Sequence, residues 1–235
     1  MSDVRPTTPP PPPHGLPWSA EDRIRHAWQT RAESDYVFDF WSQFGWTILS
    51  CGVYGFYVLY QQIRRSRDHN LRRIEFLDAT TTYAWERTWA AGRGEEQRQR
   101  FERIAVEMAT LRRLDTQFRD PVAWMVIAIV ASGIANIVAY VLLDKDLVTH
   151  DRAECIIENE LCAIFAALGA SVRPPDFGRV KVEHNLGGRI VATLASCGIY
   201  AYWWQYDSMT DLNRHFVANW QFEDDIAAAV QQLAA

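Results

Sequence analysis

The sequence predicts an all-α membrane protein, and three observations lead to that fold class. Three stretches contain no charged residue, Phe40 to Tyr60, Val122 to Leu143 and Ile190 to Tyr206, with lengths of 21, 22 and 17 residues. A helix needs about 20 apolar residues to cross the core of a bilayer. The stretches also resemble one another, and polar stretches with apolar residues at helical spacing follow them. We therefore expect three hydrophobic helical segments in a repeated unit, each followed by an amphipathic helix, plus an Arg-rich extramembrane helical hairpin.

The elements follow in a simple order along the chain. Residues 1–18 are Pro-rich, which favours a disordered polyproline II tail. A short polar helix over 19–35 begins at Ser19, a good N-cap residue. The remaining parts are membrane unit 1 (36–75), the extramembrane hairpin (76–120), membrane unit 2 with its amphipathic helix (121–169), a loop (170–185), and membrane unit 3 with its C-terminal amphipathic helix (186–235).

The polar stretch between segments one and two predicts two long helices that form an antiparallel hairpin. Gly92 and Gly94 are the natural turn. Apolar residues recur at helical spacing in its second half, at Phe101, Ile104, Met108, Leu111 and Phe118. We interpret this stripe as packing core, without a cofactor site. Its Arg-rich remainder, within 61–120, is expected to contact anionic lipid or another membrane protein.

An internal repeat is the most informative feature of the sequence. The run Ser50-Cys51-Gly52-Val53-Tyr54 of segment one returns in segment three as Ser196-Cys197-Gly198-Ile199-Tyr200. Segment two shares Ser132-Gly133-Ile134 with them. Because glycine has no side chain, we expect a kink or a close backbone approach at each of these steps. The aromatic residues that follow Gly52 and Gly198 are typical of a membrane-interface belt.

Each unit also places one histidine at the same distance beyond its glycine, namely His69, His150 and His215. We interpret the three as capping or hydrogen-bonding groups just outside the membrane. The alternative is a metal site or a proton relay. The sequence assigns no catalytic, cofactor-binding or metal-binding residue, and it implies no cofactor.

The topology of the segments has two solutions. Arg and Lys are balanced between alternate sides of three successive crossings, so the charge rule gives no orientation. Three single spans are preferred. In the alternative, every unit is re-entrant, bends at Gly52, Gly133 or Gly198, and leaves all polar segments on the cytoplasmic side.

The functional expectation is a non-enzymatic, multi-pass integral protein of the cell membrane, in a structural or accessory role. The net charge of −5 does not favour nucleic acid as a partner, and the four cysteines have no metal-ligand spacing. No phosphate-loop, zinc-protease, nucleophile-elbow or dinucleotide motif occurs.

Two other functions compete with that expectation, and the sequence leaves the oligomeric state open. The first alternative is a small oligomeric transporter or channel, although the three segments contain no ionisable residue of the kind that an ion pathway needs. The second is a membrane-bound enzyme that uses the three histidines with Asp68, Asp146 and Asp211. The spacing of those residues matches no catalytic arrangement.

The run Leu49 to Tyr60 and its echo Ala195 to Trp204 resemble a bacterial family of small membrane proteins. That family carries a Thr-Leu-Gly-Ile-Tyr-x-x-Tyr-Trp type motif and is known as a domain of unknown function. Here Cys51 and Cys197 stand where the family has Leu, and only segment three has a Trp at the end of the motif. The resemblance implies a membrane protein and brings no catalytic residue with it.

Overall fold

The computed structural model describes residues 18–116, 120–180 and 185–234, and all regular structure in these ranges is helical. The all-α prediction is therefore confirmed. The predicted Pro-rich tail up to residue 17 and Phe118 fall outside the described residues. The helices are α1 (Ala20–Gln29), α2 (Arg31–Ser34), α3 (Phe40–Leu49), α4 (Val53–Ala90), α5 (Gly94–Thr116), α6 (Pro121–Ala167), α7 (Leu186–Ala195) and α8 (Ile199–Ala234).

The short N-terminal helix begins where the sequence predicts. The hydroxyl of Ser19 accepts a hydrogen bond from the backbone N–H of Asp22, so Ser19 caps α1. Arg23 on the buried side of α1 donates to Glu75 at 2.6 Å and to Asp78 at 2.8 Å. These bonds fasten α1 to α4.

The two predicted helices and the turn between them are present as α4 and α5, and Gly92 in the turn has a φ of 71°. α4 begins at Val53, inside segment one, and not at residue 76. The apolar stripe of α5 is buried in the main core, together with side chains of α1, α6 and α8. The arginines of α4 are less exposed than expected for a surface that contacts lipid or a partner protein. Arg65 and Arg73 of α4 point inward and are completely buried, because the polar half of α4 packs against α6 and α8 as well as α5.

Segments one and three are helical hairpins, so the prediction of single spans is wrong for both. α3 ends at Leu49 and α4 begins at Val53, and Cys51 and Gly52 between them have φ angles of 52° and 92°. The N–H of Gly52 donates to the carbonyl oxygen of Thr47 at 2.8 Å, which closes the turn. Tyr36 ahead of α3 donates to Gln61 of α4 at 2.7 Å, so the chain comes back beside itself.

The turn between α7 and α8 repeats this geometry. Cys197 and Gly198 have φ angles of 51° and 92°, and the N–H of Gly198 donates to the carbonyl oxygen of Thr193 at 2.8 Å. In segment two, by contrast, Gly133 lies inside α6 and has no positive φ. Across the described ranges, the structure contains no helix with both the length and the apolar character that a membrane crossing requires.

Replacing Gly52 or Gly198 with alanine is expected to lower the free energy of unfolding by about 1 kcal/mol, because a Cβ disfavours the left-handed conformation. Gly45 is the matched control, since it lies inside α3 with open space around it, so alanine there should raise stability by roughly 0.5–1 kcal/mol. Chemical denaturation of the three variants measures the difference. Equal effects at positions 45 and 52 would contradict the role of the turn.

Candidate metal centre

The histidines of the three repeat units meet inside the helix bundle. His69 lies on α4, His150 on α6 and His215 on α8, and all three are buried. Their ring centroids form a nearly equilateral triangle with sides of 5.4, 5.0 and 5.2 Å. Their positions in the sequence predict three separate groups at a membrane interface. The fold brings them together because α4, α6 and α8 pack side by side at this level.

Two of the imidazoles are oriented by buried carboxylates. The Nδ1 atom of His69 lies 2.9 Å from an oxygen of Asp35, and the Nδ1 atom of His215 lies 2.9 Å from an oxygen of Asp151. A carboxylate can only accept, so both Nδ1 atoms carry the hydrogen and both Nε2 atoms are available as ligands. Metal-bound histidines commonly have this carboxylate partner behind the ring.

The Nε2 atoms of the cluster face one another. Those of His69 and His215 are 3.1 Å apart. The Nε2 atom of His150 lies 3.2 Å from Glu154, yet its geometry gives it no hydrogen-bond partner. A buried nitrogen without a partner is rare in native proteins and calls for an explanation.

Glu154 completes the group, one helical turn after His150. Its two oxygens lie 3.2 Å from the Nε2 atoms of His150 and His215. Burial would raise the pKa of Glu154, but the charges of Arg73, His150 and His215 hold it well below its usual range. Glu154 is thus an ionised carboxylate. One ligand atom from each of His69, His150, Glu154 and His215 lies within 4.8 Å of the others; we call these four residues the histidine cluster.

The pKa values of the three imidazoles shift in different directions. Burial lowers the pKa of His69 to about 3 and also lowers that of His150, so both rings are neutral near pH 7. For His215 burial acts in the same direction, but Glu154 and Asp151 outweigh it and raise the pKa. Neutral imidazole is the form that binds a metal ion, so His69 and His150 are in that form and His215 would release a proton on binding.

A network of ion pairs surrounds the cluster, and it contains more carboxyl groups than guanidinium groups. Arg72, Arg73 and Arg179 bind five carboxylates, which are those of Asp35, Asp151, Glu154, Glu158 and Glu223. Burial raises the pKa of Glu158 and Glu223 even though arginines bind them. Five carboxyl groups thus share three guanidinium groups, and the raised pKa values of Glu158 and Glu223 favour their protonated forms.

The distances in the cluster suit a single small metal ion. Zinc binds imidazole nitrogen at about 2.0–2.1 Å in a tetrahedron, whose ligand atoms are then about 3.3 Å apart. The 3.1 Å contact between Nε2 of His69 and Nε2 of His215 lies close to that spacing. Glu154 reaches His150 and His215 at 3.2 Å with different oxygens, and one atom from each of the four residues lies within 4.8 Å of the others. Imidazole with carboxylate is a ligand set for zinc and for other divalent transition metals.

Sequence reasoning finds the three histidines and misses the acidic residues that support them. Glu154 follows His150 by four residues, which places both on one face of a helix, and this spacing is the signal that could have identified it. Asp35 and Asp151 carry no such signal, because nothing in the sequence links Asp35 to a histidine on another helix. Asp68, Asp146 and Asp211, proposed as enzyme residues, supply none of the four ligand atoms.

The three aspartates have other places in the fold. Asp68 pairs with Arg64 and Arg67. Asp146 borders a cavity of about 10 Å³ that also touches His69 and His150. Asp211 is buried and lies 3.8 Å from Arg214.

Comparison of the chain with protein-family models, with curated proteins and with solved structures finds no match. The family resemblance of the run Leu49 to Tyr60 therefore stays a prediction. The functional proposal rests on the geometry of the histidine cluster.

Proposed function

We propose that this protein binds one divalent transition-metal ion, of the zinc type, through His69, His150, Glu154 and His215. The observation that carries the proposal is the 3.1 Å contact between two Nε2 atoms whose Nδ1 atoms are both bonded to carboxylates. The raised pKa of His215 favours a proton on its Nε2 atom, and the Nδ2 amide of Asn219 lies 3.1 Å from that atom and 3.4 Å from Nε2 of His69. A metal ion would displace that proton and bond to both nitrogens.

A proton is the simplest competitor for that position. A proton on Nε2 of His215 would satisfy the pair with His69, but His150 Nε2 would still lack a hydrogen-bond partner. A divalent ion would satisfy all four side chains at once. A metal ion therefore accounts for more of the site than a proton does.

The proposed centre is structural. Its four protein ligands come from three helices and fill a tetrahedron, whereas catalytic zinc sites keep a position open for water. All four ligands are buried, and the ion would join the three repeat units at one point. This role agrees with the expectation of a non-enzymatic protein.

Metal analysis of the purified full-length chain tests the proposal. We expect one equivalent of a divalent transition metal per chain, removed by a strong chelator and restored by zinc or cobalt. Cobalt should give the visible absorption of a tetrahedral site. A chain that holds no ion after growth and refilling with zinc, cobalt, manganese, iron, nickel or copper would refute it.

Asp35 offers a test that leaves all four ligands in place. The variant Asp35→Asn keeps the shape but loses the negative charge behind His69, and we expect metal affinity to fall roughly 10–100-fold. Asp39→Asn is the matched control, since Asp39 is exposed and asparagine caps α3 equally well. Competition with a chromophoric chelator measures both constants. Equal metal affinities of the two variants would show that Asp35 does not support metal binding.

We also propose that the protein functions at the cell membrane as an accessory component. The support is the exposure of apolar side chains around the uncharged stretches, such as Trp41, Leu49, Val130, Ile134 and Ile199. The remaining exposed arginines of the 61–120 helices, Arg64 and Arg112 among them, would meet anionic lipid head groups or a partner protein.

A further inference from the structure

The most exposed apolar residues of the three uncharged segments occupy equivalent positions. Three places before the glycine stand Leu49, Val130 and Ala195, and one place after it stand Val53, Ile134 and Ile199. The five larger side chains are between 68% and 82% exposed. We call the three pairs the apolar tips. Large apolar side chains exposed at the same position of three repeats are typical of a surface that contacts an apolar partner or a membrane.

The tips of segments one and three are ends of hairpins. α3 and α7 have ten residues each, so each arm is about 15 Å long. That length is half of the roughly 30 Å core of a bilayer. Asp39 at the base of α3 and Arg64 on α4 are the first charged residues on the two arms of hairpin one. In hairpin one, the first charged residues therefore lie at a distance from the tip of about the thickness of one leaflet.

The chain path requires α6, a continuous helix, to bend in segment two. Arg93 at the start of α5 binds the carbonyl oxygen of Ala167 at the end of α6, and Arg103 binds Glu160. α5 therefore runs antiparallel to α6 and ends at Thr116, near the level of His150. Pro121 is five residues further along the chain, hence within about 18 Å.

A straight helix from Pro121 to His150 would be about 43 Å long, so α6 cannot be straight over this stretch. A bend of the continuous helix near Gly133 resolves the conflict, since glycine is a common site of helix kinks.

We infer that the three apolar tips insert side by side into one leaflet of a lipid bilayer and that no segment crosses it. This inference rests on the proposed membrane function and specifies its geometry. The histidine cluster and every polar helix then lie on one side of the membrane. The exposed Trp41, beside Asp39, lies at the level where aromatic side chains meet the head groups.

Lipid is the occupant that fits this surface best. The tips project from three separate units, and a groove of about 700 Å³ bordered by Gly52, Gly133 and Gly198 lies between them. A protein partner would have to fill that groove with a matching shape, whereas acyl chains fill it without any complementarity. The lining is mostly apolar side chains, which suits hydrocarbon.

Flotation with neutral phosphatidylcholine vesicles tests the surface. The triple variant Leu49→Lys, Val130→Lys and Ile199→Lys should reduce vesicle binding by more than about 100-fold, because a lysine deep in a bilayer is strongly unfavourable. The metal content should not change, since the three side chains are exposed. The matched control places three lysines at exposed apolar positions elsewhere, Leu71→Lys, Val106→Lys and Val217→Lys. Equal binding by both variants, or no flotation of the unmodified protein, would overturn the inference.

Sidedness separates one-leaflet insertion from membrane crossing. Single cysteines at Ala91, Pro174 and Gln231, all exposed, are placed in a Cys51→Ser, Cys197→Ser background. An impermeant maleimide applied to intact cells should give the same result at all three positions. Opposite results for Ala91 and Pro174 would show crossing segments and overturn one-leaflet insertion, while the proposed membrane location and the metal site would stand.

Discussion

Replacing His215 with alanine is expected to leave the protein without a bound metal ion after purification. The ring is completely buried, and its Nε2 atom contacts both His69 and Glu154. Loss of a side chain that only supports a ligand weakens metal binding roughly 10–100-fold, and loss of the ligand itself should exceed about 100-fold. Elemental analysis and a competition titration with zinc measure the change.

The melting temperature provides a second test of this prediction, and its result does not depend on the amount of folded protein. A ligand that binds the native state stabilises it by mass action, so a chelator should lower the melting temperature of the unmodified protein. The chelator should have no effect on His215→Ala or on the gentler variant His215→Gln. His26→Ala is the control, because His26 is exposed on α1 and outside the cluster. A chelator effect that persists in His215→Gln would remove His215 from the site.

The second large effect is expected at Arg73, where methionine should lower the free energy of unfolding by about 3–5 kcal/mol. The guanidinium is completely buried and binds Glu154 at 2.8 Å, Glu158 at 2.6 Å and Glu223 at 2.9 Å. Methionine fills similar space but leaves three buried carboxylates without this partner. For a chain of this size the melting temperature should fall by roughly 6–20 °C.

The measurement is made on chelator-treated samples, so that a loss of metal does not contribute to the difference. Arg25→Met is the matched control. Arg25 pairs with Glu21 at 2.9 Å on the surface of α1 and is 54% exposed, and such pairs are worth about 0–1 kcal/mol. A destabilisation by Arg73→Met no larger than that of Arg25→Met would show that the carboxylates do not depend on Arg73.

Much of the helical architecture could be predicted, because its signals are local. Ser19 starts α1, Gly92 marks the turn between α4 and α5, and the stripe of Phe101, Ile104 and their neighbours lies in the core as its spacing predicts. Each of these features depends on residues within a few positions of one another. The reversals at Gly52 and Gly198 do not follow from the sequence alone, since a glycine in an apolar stretch permits a turn without requiring one.

The site was predictable in its histidines and not in its surroundings. The repeat placed His69, His150 and His215 at equivalent positions, yet equivalence along a chain does not show whether three helices pack together there. The network around the histidines includes Asp35, Glu158 and Glu223, which come from three different parts of the chain. Their proximity to the cluster is therefore not visible in the sequence. Without them the histidines have the features of ordinary interfacial groups.

The sequence by itself determined the helices, the repeat and the segregation of charge, because each follows from which residues neighbour one another in the chain. Only the tertiary structure decided that the three histidines share one buried point with Glu154 and that the outer segments turn back at their glycines. The physical reason is that ligand geometry and buried charge balance depend on distances between helices, and local spacing does not encode those distances.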